Sequence, residues 1–355
     1  MAPSSNRQSH AWLAANCSLI FPGLGQLYRR QIVPGALMAA SAGVLLMFVG
    51  WSILAPAGQT LWGLWALLLL GGLYLLSVVD ASLSSWAAQG KPSPPTPVLE
   101  IKDPWYVVFL SQILPGLGHL YVQRLGWAAI LLGVGVGTAL LSQTYSWLLP
   151  IPVMVWAWGC WHGYWVTVAP PHRPNRFIYF IVVGLIVMRL AVGSVPAWLG
   201  ATVEQCIVPS ESMLPTLQVG DRLFVHKQTG YRPQLADIVV FEAPQAAIAQ
   251  GVLSADTLLV KRIIGLPGQQ VWITGGHVFV NGEALVEPYI QSAPWYEWGP
   301  DRVPPDQYFV LGDNRNFSGD SHLWGFVPAT DILGPGYKIY WPPDRVQSLA
   351  PPYRS

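Results

Sequence analysis

Read for hydrophobic periodicity, the chain changes character near residue 200. Before that point long apolar runs dominate, at about residues 33–54, 60–80, 126–141, 147–168 and 177–199. Such runs approach or reach the roughly 20 residues needed to cross a bilayer, the third being on the short side. After residue 200 the apolar stretches shorten to strand length: Arg222–His226, Asp237–Phe241, Leu258–Ile264, Gln270–Thr274, His277–Val280, Tyr308–Leu311 and Gly336–Trp341. Gly, Pro and Asn punctuate them, with Gly275-Gly276 and Asn281-Gly282 as turn signals. The pattern predicts an N-terminal α-helical membrane domain of about five spans plus two re-entrant or interfacial helices. An all-β, barrel-like domain is predicted to follow.

The apolar half repeats itself. Phe21-Pro-Gly-Leu-Gly-Gln-Leu-Tyr28 recurs as Leu114-Pro-Gly-Leu-Gly-His-Leu-Tyr121, each time followed by a basic residue and two apolar segments. Basic residues flank both copies of the motif (Arg7 and Arg29, then Lys102 and Arg124), which argues against a span and for re-entrant or interfacial helices. The expected divisions are membrane repeat 1 over 1–90, a Pro-rich linker over 91–104, membrane repeat 2 over 105–170, a membrane anchor over 171–200 and the β-rich domain over 201–355. Asp80 and His162 either line a crevice at the repeat interface or face the headgroups, with the glycines serving close helix packing. Arg189, inside the last run, suggests a helix that ends near that residue and continues along the outer interface.

Composition then places the molecule. Apolar residues make up 52% and charged residues only 10%, well below the roughly 25% charged expected of soluble domains. Residues 1–176 carry about +5 and residues 177–355 about −4. The basic half is the membrane half, so its charge speaks of topology and not of nucleic acid. Arg29/Arg30, Lys91/Lys102, Arg124 and Arg173/Arg176 fall on one side of five spans, while the tips Pro56–Gln59 and Ser142–Ser146 carry no Lys or Arg. By the positive-inside rule everything after residue 200 is extracytoplasmic. Cys17, Cys160 and Cys206 form no disulfide framework or metal spacing. The run Ala11–Tyr28, broken by Asn16 and Pro22-Gly23, lacks the small-residue cleavage site of a secretory signal.

Candidate chemistry begins immediately after the last span, at Ser210-Glu211-Ser212-Met213-Leu214-Pro215. Ser212 reads as a nucleophile, which needs a base. His226, His277 and His322 are available but have no companion carboxylate in a motif. Lys261 lies among Leu258, Leu259, Val260, Ile263 and Ile264, where burial disfavours the ammonium, and only a neutral amine takes a proton. Taken alone, that lysine also reads as a strand-end residue reaching solvent. Gly312-Asp-Asn-Arg-Asn-Phe-Ser-Gly-Asp-Ser-His-Leu-Trp-Gly325 reads as an active-site loop or as an Asx-rich turn.

These boxes in this order, with Gly220-Asp-x-x-x-Val-x-Lys227 between the first two, closely resemble type I signal peptidases over about residues 175–345. The resemblance implies Ser212 as nucleophile and Lys261 as general base. It implies Ser210 beside the Ser212 N–H in an oxyanion hole, and Ser318 as the serine that orients the lysine. Asp320 would hold the loop through charged partners, Arg262 among them. Val208, Met213, Leu259 and Val260 would line shallow pockets for small side chains, as in Ala-X-Ala sites. Glu211, Gln269 and His322 depart from the usual family residues. Trp295, Tyr296 and Trp298 either dip toward headgroups or pack on the barrel.

The implied enzyme is a membrane-bound serine endopeptidase of the bacterial inner or thylakoid membrane, its catalytic domain on the extracytoplasmic or lumenal side, removing signal peptides from preproteins. Membrane lipid and the protein translocase are its implied partners, and no cofactor, metal or nucleic acid is called for. Two other classes fit parts of the sequence: a Ser/Lys self-processing regulator, and a membrane scaffold or binding protein with an accessory peptidase.

Overall fold

A computed structural model describes residues 4–87, 102–168, 175–227, 230–251, 254 and 257–349. The Pro-rich stretch Gln89–Pro97 lies outside them. The chain forms two compact units, one of residues 1–49 and 64–197, the other of 50–63 and 198–355.

The first unit is helical. Its helices are α1 (Ser4–Ile20), α2 (Leu24–Tyr28), most of α3 (Ile32–Leu54) and α4 (Thr60–Ala87), α5 (Pro104–Ile113), α6 (Leu117–Tyr121), α7 (Leu125–Thr144), α8 (Pro150–Thr167) and most of α9 (Phe177–Thr202). Among the described residues, α3, α4, α7 and α9 are long and apolar enough to cross a membrane. The run expected at 147–168 is α8, 18 residues long.

The two Pro-Gly-Leu-Gly segments fold alike because the same backbone constraint recurs. Gly23 (φ 91°) and Gly116 (φ 88°) start α2 and α6 in the left-handed region that favours glycine. A Cβ on Gly25 would stand 2.2 Å from the Ala14 carbonyl oxygen, and one on Gly118 2.2 Å from that of Val107, so each short helix packs directly on the backbone of the helix before it. Tyr74 donates to the Ile20 carbonyl at 2.9 Å, and Trp156 to that of Ser111 at 2.7 Å. Nearly two turns further along the same helices, Gln26 donates to Asp80 at 2.9 Å and His119 bonds His162 at 2.9 Å. Asp80 and His162 are thus turned toward the motif helices of their own repeats.

The helix α9 does not end at Arg189. It runs unbroken through Ser194 and Pro196 to Thr202, which corrects the expected break. The charge is met sideways instead: Arg189 donates to the Gln112 carbonyl at 2.9 Å and stacks 3.6 Å above the Trp156 ring.

The second unit is antiparallel β. Its strands are β1 (Val203–Ile207), β2 (Arg222–His226), β3 (Ile238–Glu242), β4 (Leu258–Gly265), β5 (Gln270–Thr274), β6 (His277–Val280), β7 (Glu283–Ala284), β8 (Trp298–Arg302), β9 (Gln307–Leu311), β10 (Val327–Pro328), β11 (Ile332–Trp341) and β12 (Gln347–Ser348). The main sheet runs β1-β2-β11-β3-β4-β9-β10 with β12 on β11, and a smaller one runs β7-β6-β5-β8. Bulges in β11 let one strand pair with both β2 and β3. Between the expected strands His277–Val280 and Tyr308–Leu311 lies β8, a strand with little apolar alternation that is recruited by β5. Trp298 packs on Phe309 and Tyr296 on His322, while Trp295 stays 75% exposed.

The α3–α4 tip belongs to this unit. Lys338 is fully buried and donates to the Ser52, Ile53 and Ala55 carbonyls at 3.0, 2.8 and 3.0 Å. These are acceptors left over where α3 ends, and an ammonium suits them in both hydrogen bonding and dipole.

In the helical unit, Cys17 and Cys160 share one buried core with Trp105, Tyr164 and Ile181. Replacing Gly118 with Ala forces α6 away from α5 at a cost of about 1–3 kcal/mol. We expect Cys160, which is fully buried, to resist maleimide in the parent protein and to become reactive in Gly118→Ala; an unchanged labelling rate would show that the close approach is not needed.

Candidate active site

Ser210 is extended, with φ −137° and ψ 165°, and leads from β1 into a single 3-10 turn over Glu211–Met213. The turn places Ser212 at 8% exposure, with the Ser210 Oγ 3.2 Å from its own Oγ. Across from it, β4 carries Lys261 in the centre of the sheet, opposite Val239 on β3. Strand alternation sets the Lys261 side chain on the face of Leu259 and Ile263. It is 3% exposed, and its Nζ lies 2.7 Å from the Ser212 Oγ. Burial pushes its ammonium down to about 8, with the Asp320 and Asp313 carboxylates pulling the other way. The solvent-reaching alternative for this lysine therefore does not hold.

The loop after β9 backs the serine. The Asn314 N–H donates to the Ser212 carbonyl at 3.1 Å, and its side chain donates to that of Glu211 at 3.1 Å. Gly312 makes this approach possible, because a Cβ there would fall 2.4 Å from the Ser212 carbonyl oxygen and 2.2 Å from the Ser318 Oγ. Ser318 is buried beside this contact, and its hydroxyl has no hydrogen-bond partner among the described residues.

The expected pairing of Arg262 with Asp320 is not what forms. Arg262 binds Asp313 through Nε at 2.8 Å and Nη2 at 2.6 Å, and its guanidinium stacks 3.9 Å over Tyr289. Asp320 accepts from the Gly312 N–H at 2.9 Å and lies 2.6 Å from the His322 Nδ1. The reason is geometric: Asp320 caps the short helix Ser321–Trp324, so its carboxylate is oriented toward its own turn. Asp313 also accepts from Thr216 at 2.5 Å, tying the loop to the segment after Ser212.

Val208, Met213 and Val260 share one buried cluster, whereas Leu259 packs with Val239 and Phe241, as alternation on β4 requires. Gln269 closes its own turn by accepting from the Leu266 N–H at 2.7 Å. Asp313, Thr216, Asn314 and the bidentate Arg315–Glu287 pair, at 2.8 and 2.5 Å, received no roles from the sequence reading. The density of Asp, Asn and Arg in 312–316 was the available signal, but nothing in it named their partners.

Residues 178–341 match the family described as signal peptidase, peptidase S26. The chain is 51% identical over 151 residues to signal peptidase I of Leptolyngbya laminosa, covering 42% of this chain and 74% of that protein. To a probable signal peptidase I-2 of Synechocystis sp. it is 51% identical over 149 residues, 41% of this chain and 66% of the relative. To a probable chloroplastic thylakoidal processing peptidase 2 of Arabidopsis thaliana it is 40% identical, spanning under half of that relative at 41%. Residues 1–177 lie outside the family match.

Removing Asp313 strands a buried guanidinium, which costs about 3–5 kcal/mol. Asp313→Ala is expected to lower the midpoint of urea unfolding of the detergent-solubilised chain markedly, and Asp313→Asn to lower it less. A midpoint equal to the parent's in Asp313→Ala would contradict the anchoring described for this pair.

Proposed function

The chain belongs to the signal peptidase S26 family, and we propose that Ser212 and Lys261 are the dyad with which it removes N-terminal signal peptides from exported preproteins. The observation that carries this assignment is the 2.7 Å approach of a buried lysine amine to a serine hydroxyl. Neutral Lys261 takes the Ser212 proton as Oγ attacks the carbonyl carbon of the scissile bond. The negative charge that develops on the carbonyl oxygen is met by the Ser212 N–H and the Ser210 hydroxyl. Collapse breaks the C–N bond, and the Lys261 ammonium returns its proton to the leaving amine. A water molecule, deprotonated by the same amine, then hydrolyses the acyl-enzyme and frees Ser212.

Supporting roles complete this reading. Ser318, buried beside Gly312 with its hydroxyl uncommitted, orients the lysine. Asp320 and Arg262 act through separate partners to hold the loop after β9 in place. Val208, Met213 and Val260 form the floor that admits only small side chains next to the cut, while Leu259 contributes from the Lys261 face of β4.

The protein is membrane-associated, and our reading sets it in a bacterial inner or thylakoid membrane with α8 as a fifth span. At about 27 Å an 18-residue helix falls a little short of the hydrocarbon core, a deficit that local thinning accommodates. The β unit is then extracytoplasmic. Two things support that side: the distribution of Lys and Arg, and the inclusion of the uncharged α3–α4 tip in the β unit. Preprotein signal peptides, membrane lipid and the protein translocase are the partners this placement calls for.

Ser212→Ala and Lys261→Ala should each lower cleavage of a model preprotein in detergent by on the order of 10³-fold or more. Residual processing near the parent rate in either variant would remove the dyad. The base works only when neutral, and Lys261 is held at about 8. Its neutral fraction therefore drops about tenfold for each pH unit below that value and saturates above it. The kcat/KM for preprotein cleavage is expected to rise with pH to a plateau above about 8, and a flat profile between pH 6 and 9 would exclude Lys261 as the titrating base.

A further inference from the structure

A cavity of about 520 Å³ opens in the same compact unit as Ser212. Leu54 and Pro56 from the α3–α4 tip form one wall, Trp198 and Val203 another, and Tyr337 and His226 the floor. The first wall comes from outside the family match, since the match begins at residue 178. It is nevertheless rigidly held. Lys338 binds three carbonyls at the end of α3, and the Ser52 hydroxyl closes the tip by donating to the Gln59 carbonyl at 2.5 Å.

The cavity stands in a defined register to the chemistry. Val203, on its wall, is the first residue of β1, and β1 is an end strand of the sheet path, paired to β2. From Val203 the chain follows β1 to Ile207 and then, through Val208 and the extended Ser210, enters the 3-10 turn that holds Ser212. Five extended residues cover about 17 Å. A substrate strand laid along β1, with its scissile residue at Ser212, therefore brings the residues roughly five to eight positions upstream of the cut to the cavity. In a signal peptide, the small-residue cleavage site is preceded at about that distance by the end of an apolar segment of roughly 7–15 residues.

We propose that this cavity is a second substrate subsite, which receives the end of the signal peptide's apolar segment against Leu54, Pro56 and Trp198. The inference rests on the peptidase reading above. It assigns the α3–α4 tip a part in substrate recognition: the apolar segment is gripped at one end of β1 while the bond to be cut is presented at the other. Register along β1 favours the substrate over a lipid chain as occupant, because Val203 at the cavity and Ser212 lie on one continuous segment that begins with β1.

The test uses the full chain in detergent with two substrates: a preprotein carrying its whole apolar segment, and a short peptide covering the cut site alone. Leu54→Glu and, independently, Val203→Trp, which fills the cavity from β1, are expected to lower the ratio of preprotein to peptide kcat/KM about tenfold, through KM of the preprotein. A photo-reactive residue seven positions before the cut is expected to crosslink to the 54–56 or 198–203 segment, and one two positions before the cut is not. Equal losses on both substrates, an unchanged ratio, or crosslinks confined to other segments would each overturn the subsite. So would variants that alter only the lipid retained by the purified protein. Failure of the parent chain to cleave either substrate would instead overturn the peptidase reading, which keeps the two failures apart.

Discussion

A lysine that accepts a proton near neutral pH has to be kept from water and also from any carboxylate close enough to fix its charge. Burial in a β-sheet meets the first requirement, and in this protein most of the polar architecture around Lys261 meets the second. Asp313 and Asp320 are the two acids whose fields reach the amine. Each is engaged elsewhere, Asp313 by Arg262 and Thr216, Asp320 by the Gly312 N–H and His322. The nearest group left to the amine is the Ser212 hydroxyl. A carboxylate paired directly with the amine would hold the ammonium charged and remove the base.

The same unit contains a contrasting case. Lys338 is as deeply buried as Lys261, yet three backbone carbonyls surround its ammonium. Burial pushes the Lys338 ammonium down to about 8 as well, but its three carbonyl acceptors can only receive hydrogen bonds, which makes it a structural cation that ends a helix. A single hydroxyl that is itself a donor makes Lys261 a base. Two lysines of one sheet, on β11 and β4 with β3 between them, thus take different roles because of what their Nζ atoms touch, and burial alone does not separate them.

In the helical unit, one scaffold is used twice with different side chains. Gly23 and Gly116, Gly25 and Gly118, Tyr74 and Trp156 hold corresponding places, and the corresponding polar pairs are Gln26–Asp80 and His119–His162. The backbone constraint survives because glycine at a positive φ and glycine against a carbonyl oxygen admit no substitute. The polar pair is free to differ, since an amide with a carboxylate and an imidazole with an imidazole both satisfy a hydrogen bond at that spacing.

Much of this was readable in one dimension. Periodicity located Arg222–His226, Gln270–Thr274 and His277–Val280 to the residue, because alternation and Gly or Asn turns are local properties. The Ser212 and Lys261 boxes were likewise legible as short motifs. The strand β8 was not, because Trp298–Arg302 has no alternation and exists only by pairing with β5. Nor were the partners of Arg262 and Asp320: the choice between Asp313 and Asp320 depends on which carboxylate is turned away by its own helix cap. The chain's order of residues determined which groups are available and on which strands they lie. Only the tertiary structure decided which of them meet, because hydrogen bonds and ion pairs between residues far apart in sequence depend on directions in space that periodicity does not carry.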